Sequence, residues 1–116
     1  MLARFSALLV VAIAAIALSA SPAAGASYAT KVVISLKTPA FHGKVKSGGS
    51  SCVDGRTVRL FRKKSGPDQL LGSDRSNAKG KWSIPIGKLR SGASYYAKAT
   101  AKGSCRAGKS KVLNIG

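Results

Sequence analysis

The sequence predicts an all-β protein: a small seven-stranded antiparallel β-sandwich, preceded by a signal-peptide helix. Three observations carry this expectation. Beyond residue 27, apolar residues recur at every second position, the period of a half-buried strand. Clusters of Gly, Ser, Pro and Asn separate the alternating runs at short intervals, as turns do. No stretch of the same region repeats its apolar residues at helical spacing.

The first element spans residues 1–26. Met1-Leu2-Ala3-Arg4-Phe5 is a short leader with one positive charge, and Ala7 to Ala20 is apolar apart from Ser19. Ser21-Pro22 breaks the run, and Ala24-Gly25-Ala26 supplies the small residues a signal peptidase accepts. A membrane anchor is the competing reading. Leu8 to Leu18 is short for about 30 Å of hydrocarbon, and no charged stop-transfer flank follows. The expectation is cleavage after Ala26, secretion to the extracellular space, no stable membrane insertion after processing, and one domain over 27–116.

The strands follow in order. Thr30, Val32, Ile34 and Leu36 alternate with Lys31, Ser35 and Lys37, although Val33 blurs the pattern. Phe41, Gly43 and Val45 alternate cleanly with His42, Lys44 and Lys46, a half-buried strand with a cationic outer face. Thr57 to Arg62 comes next, with Val58 and Leu60 inward. Leu70–Ser73 and Lys81–Ile84 flank Asn77-Ala78-Lys79-Gly80, a short loop whose glycine can take a positive φ. Tyr95, Ala97 and Ala99 alternate with Tyr96, Lys98 and Thr100, and Lys109 to Ile115 is the seventh strand. Phe41, Trp82 and Tyr95 are expected in the core.

The chain carries 20 Lys and Arg against three Asp and no Glu, a formal charge of +17. Without Arg4 the part after Ala26 keeps 19 cations, hence +16. With one His and three Asp there is little from which to build a general acid–base pair or a nucleophile with its base. The inventory argues against an enzyme and for a cationic binding or structural module. Cys52 and Cys105 are the only cysteines, and in an oxidising compartment the expectation is one disulfide between them. Two free thiols and a metal pair are the competing readings, but two Cys without a second His cannot complete a tetrahedral zinc site.

An immunoglobulin pattern fits poorly, because Trp82 follows Cys52 by 30 residues and neither Tyr95 nor Tyr96 lies two residues before Cys105. A different order stands out: Phe41-x-Gly43-x-Val45, Arg56-x-Val58-x-Leu60, Ser76-Asn77-Ala78-Lys79-Gly80-Lys81-Trp82, then Ser91-Gly92-Ala93-Ser94-Tyr95-Tyr96-Ala97. It resembles the carboxypeptidase regulatory-like domains, relatives of the transthyretin-like and Cna-B-type sandwiches, over Phe41 to Ala101. The resemblance implies a prealbumin-like sandwich serving as a non-catalytic accessory, adhesive or carrier module. The cysteine pair and the basic charge lie outside the general pattern and suggest a specialised secreted branch. Some Cna-B-type domains form isopeptide bonds with help from a buried acid, and this chain has no Glu.

Other motifs are weighed by context. Gly103 to Ser110 fits the phosphate-cradling G-x-x-x-x-G-K-[ST] pattern, which works only between a strand and a helix. Six strand-like residues follow, with no acid to hold magnesium. Ser76-x-x-Lys79 lies in an expected turn without partner motifs. His42 reads as a surface residue, since catalysis or metal binding needs partners. Asp54, Asp68 and Asp74 read as turn formers with local salt bridges.

The leading functional expectation is therefore a secreted, non-enzymatic module contacting anionic extracellular polymers, without a cofactor or metal. Its expected partners are anionic cell-wall polymer, acidic polysaccharide or nucleic acid, bound non-specifically. The candidate contacts are Lys44, Lys46, Arg62, Lys63, Lys64, Lys79 and Lys81, with Tyr96 on an outer face beside Lys98 as a stacking platform, or simply a solvated Tyr. The alternative is a carrier, adhesion or inhibitor domain that binds a protein partner through a sandwich face or loop.

Overall fold

A computed structural model describes residues 27–116. The expected signal peptide lies outside the described residues. Two antiparallel sheets face each other around one core. The strands are β1 (Thr30–Lys37), β2 (Ala40–Ser47), β3 (Thr57–Arg62), β4 (Gln69–Arg75), β5 (Lys81–Pro85), β6 (Ser94–Ala99), β7 (Gly108–Lys109) and β8 (Leu113–Asn114). The first sheet has the order β1-β2-β5 and the second the order β4-β3-β6-β7, with β8 also pairing β6. A single 3-10 turn, Ser50–Cys52, carries the chain from β2 towards β3. None of the described helices is long and apolar enough to cross a membrane.

Alternation does what the pattern requires. Val32, Ile34, Phe41, Val45, Val58, Leu60, Trp82, Ile84, Tyr95, Ala97 and Ala99 face inward and form the core. Phe41 and Tyr95 pack across the two sheets with ring centroids 4.9 Å apart, a tilted contact of the kind aromatic pairs favour. The Tyr95 hydroxyl accepts a hydrogen bond from the Arg90 amide at 3.1 Å, the backward reach of a tyrosine corner, although no cysteine follows two residues later. Val33, which blurred the sequence pattern, is on the outer side of β1, opposite Lys44.

Gly43 is required by close packing of β1 on β2. A Cβ there would sit 1.7 Å from the Val33 carbonyl oxygen and 3.1 Å from the Trp82 ring. In the β4–β5 turn Gly80 takes the left-handed φ of 80°. Asn77 Oδ1 accepts from the amides of Lys79 and Lys81, so this turn has the chemistry its sequence announced.

The expected seventh strand is in fact two, giving eight among the described residues. Ser110 divides it. Its amide donates to the Ala97 carbonyl and its hydroxyl accepts from the Ala97 amide, both at 2.8 Å. The same hydroxyl donates to the Lys111 carbonyl. A side chain thus takes a place that backbone would fill in a regular ladder, and pairing resumes only at Tyr95 with Leu113.

Cys52 and Cys105 are joined, with their Cα atoms 5.4 Å apart. The bond ties the 3-10 turn to the loop between β6 and β7. Tyr28 is bound to the same loop: its amide donates to the Ser104 carbonyl and its carbonyl accepts from the Arg106 amide.

Candidate functional site

The cations of β1, β2 and β5 fall on one outer face because they occupy the positions between core residues. Strand register then sets them directly opposite one another: Lys31 faces Lys46, and Lys44 faces Lys81. All four are exposed. Opposed residues in an antiparallel pair stand about 5 Å apart, and like charges there destabilise the sheet. Ser35, His42 and Ser83 share the face further along.

The second sheet repeats the arrangement. Arg59 on β3 faces Lys98 on β6, which in turn faces Lys109 on β7. This row runs across three strands, and each member is exposed. Lys109 Nζ lies 4.4 Å from the centroid of the Tyr96 ring, a cation–π contact. The edge between the two rows opens into a groove of about 440 Å³ lined by Lys31 to Ser35 of β1 together with Lys109 and Lys111.

The candidates read from sequence are therefore not one surface. Lys44, Lys46 and Lys81 do converge, and Lys79 is exposed in the adjoining turn. Arg62 ends β3 of the other sheet, and Lys63 and Lys64 follow it in the loop. Arg62 donates to Gln69 Oε1 and lines a smaller cleft of about 270 Å³ with Lys88 and Arg90. Tyr96 does face outward, but the residue is only 7% exposed. Phe61 stacks on it with centroids 5.3 Å apart, and Lys109 covers it as well, so little ring is left for a sugar or base.

Asp68 is the carboxylate beside this second row. It accepts the Tyr96 hydroxyl proton on one oxygen and the Lys64 amide on the other. The Tyr96 bond first, then the Lys64 amide and the charges of Lys63 and Lys109, hold its carboxyl below the usual range against a smaller opposing effect of desolvation. The same bond pushes the Tyr96 hydroxyl above its ordinary value. Asp74 is near the end of β4, beside the β4–β5 turn, where Oδ2 accepts the Ser83 amide of β5 at 2.8 Å and closes the sandwich edge. Both residues are held by hydrogen bonds from amides, and Asp68 by a phenol as well.

The motif serines have structural duties. Ser110 is occupied as described, and the segment from Gly103 runs into β7 and β8. Ser76 is buried, accepting the Arg56 amide and donating to the Val53 carbonyl. Among the described residues no three of His, Cys, Asp and Glu are grouped so as to hold a metal.

The contacts expected from sequence left out Lys31, Arg59, Lys98 and Lys109, although alternation sets Lys31, Arg59 and Lys98 outward beside Val32, Val58 and Ala97; Lys109 is found only from the pairing of β7 with β6. Sequence reasoning also missed Arg56, whose burial is complete. The guanidinium donates to Thr30 Oγ1 and to the carbonyls of Cys52, Thr100 and Arg106 at 2.8–3.1 Å. Its Nε has no partner, and burial pushes its pKa down. The signal was its place two residues before Val58 and four before Leu60, which puts it on the inward side of that strand's alternation. No family model, curated protein or solved structure matches the chain.

Proposed function

We propose that this chain is a secreted, non-enzymatic cationic module, of the carboxypeptidase regulatory-like and prealbumin-like kind, that holds anionic extracellular polymers on its sheet faces. The observation that carries the reading is the opposed cations: Lys31 with Lys46, Lys44 with Lys81, and Arg59 with Lys98 and Lys109. Each pairing costs stability in the free protein. A polyanion laid across the strands converts that cost into attraction and releases its condensed counterions. Mere solubility would be served as well by cations scattered singly or mixed with acids. Most of the row members are lysines, which bind anions as point charges without a fixed fork. Selectivity among polyanions is accordingly weak.

A protein-partner reading would draw on an exposed apolar patch above about 400 Å². The large exposed hydrophobics among the described residues are Tyr28, ahead of β1, and Leu70, on β4, and two residues on separate elements give that reading no specific support. The non-enzymatic part rests on the inventory of one His and three Asp.

The test is binding of the oxidised protein to heparin, polyphosphate and nucleic acid at about 50 and 200 mM salt, where a complex with six or more contacts loses about three decades of affinity. Replacing Lys44 and Lys81 with Ser should weaken all three ligands alike. Binding that ignores salt, or no binding at the lower concentration, would remove the proposal.

A further inference from the structure

The two cation rows meet. Lys31 ends the first row and Lys109 ends the second, and both line the groove along the β1 edge, where Lys111 joins them. The remaining lining is Val32, Val33, Ile34 and Ser35, without an acid. A cleft of one charge sign with apolar walls focuses the field, so the groove is the most favourable point for an anion along the whole path. Building on the polyanion reading, we infer that the groove is the middle of one continuous track, and that its ligand is a single flexible chain of phosphate groups rather than a stiff duplex.

The chain would cross β5, β2 and β1 over Lys81, Lys44, Lys46 and Lys31, turn through the groove, and continue over Lys109, Lys98 and Arg59. Face-packed sheets lie about 10 Å apart, so the ligand reverses direction over a distance of that order. Duplex DNA, with a persistence length of about 500 Å, cannot do this and meets one row at a time. A single phosphate chain can, and it then meets about eight cations where a duplex meets three or four. Lysine ammonium groups suit such a track, because they follow a moving line of anions without demanding bidentate geometry.

The experiment compares long-chain inorganic polyphosphate, oligothymidylate of about 24 nucleotides and a duplex of about 24 base pairs over about 50–200 mM salt. The expected log–log salt slope is about −5 to −6 for oligothymidylate and about −3 to −4 for the duplex. Replacing Lys31, Lys109 and Lys111 together with Ser should bring the oligothymidylate slope down by about 2 and the duplex slope by no more than about 1. Replacing Lys88, Arg90 and Lys102, an equal loss of charge away from the track, should change neither slope by as much. Because Lys109 packs on Tyr96, the Lys31 and Lys111 pair is also replaced alone, with an expected fall of about 1.4 for oligothymidylate. Equal slopes for single strand and duplex, or a groove variant no different from its charge control, would overturn the track while leaving polyanion binding intact. Binding of oligothymidylate without polyphosphate would overturn the phosphate-chain assignment, since bases would then be needed. Failure of all three probes to bind at about 50 mM salt would instead sink the polyanion reading on which the track depends.

Discussion

Arg56 does at one position what a longer chain would do with a larger core. Its guanidinium collects Thr30 at the start of β1, Cys52 in the 3-10 turn, Thr100 after β6 and Arg106 in the disulfide loop. Thr30, Cys52 and the Thr100–Arg106 stretch are far apart in sequence, and no carboxylate offsets the buried charge in that hydrogen-bond set. Replacing Arg56 with Met returns the desolvation cost of the charge but strands the Cys52 and Thr100 carbonyls, at about 1–3 kcal/mol each. We expect a net loss of about 2–4 kcal/mol in urea unfolding of the oxidised protein; a loss below about 0.5 kcal/mol would mean that the carbonyls find other donors. The Tyr96–Asp68 bond makes stability depend on pH at both ends of the range. Asp68 has its carboxyl pKa depressed in the fold, so its contribution is present above the ordinary carboxylate range and is lost as pH falls through the folded value. Tyr96 is raised, so its contribution is full below the ordinary phenol range and is lost as pH rises through the folded value. Replacing Tyr96 with Phe should flatten both limbs of the stability–pH profile, and an unchanged acid limb would show that other carboxylates govern it.

At the scale of elements, the strands that could be read from sequence are those in which alternation and burial agree. β2 and β5 stand where the pattern put them, because Phe41, Val45, Trp82 and Ile84 have no other way to leave water. β4 is longer than its apolar core, Gln69–Arg75 instead of Leu70–Ser73, since backbone pairing with β3 carries on past the last apolar side chain. The division of the final strand was not legible, because Ser110 breaks the ladder through a side-chain bond whose partner, Ala97, is distant in sequence. The site was legible in the same partial way: alternation gives the face of a lysine, but only register tells which lysines stand opposite each other. Gly43 offers the sharpest test of that register. Its replacement by Ala puts a methyl against the Val33 carbonyl and should cost more than the usual overpacking of about 1–3 kcal/mol, measured by chemical denaturation; a near-neutral variant would place β1 further from β2. The Cys52–Cys105 bond closes a loop across 53 residues, and replacing both cysteines with Ala should cost about 2–5 kcal/mol.

For the whole molecule, the same charges that serve binding oppose folding. Residues 27–116 carry a formal +16, and the opposed pairs concentrate that repulsion where strands must lie side by side. Exposed charges are screened over about 10 Å at 0.1 M salt and about 3 Å at 1 M. The free protein should therefore become more stable as sodium chloride rises from about 20 to 500 mM, while its complexes with polyanions weaken over the same range. A ligand that binds only the folded state adds about 2.7 kcal/mol at a hundred times its Kd. Polyphosphate at low salt should accordingly raise the thermal midpoint, and the gain should vanish in high salt. Calorimetry of the oxidised protein with and without polyphosphate at both salt concentrations separates the two effects. The variant lacking Lys44 and Lys81 discriminates further, because removing one opposed pair relieves repulsion in the free state and also removes contacts in the complex. It should be more stable than the parent without ligand at low salt and gain less from polyphosphate. A parent protein whose midpoint is indifferent to salt without ligand would show that the opposed cations do not strain the sheet, and the physical ground for reading them as a binding surface would be gone.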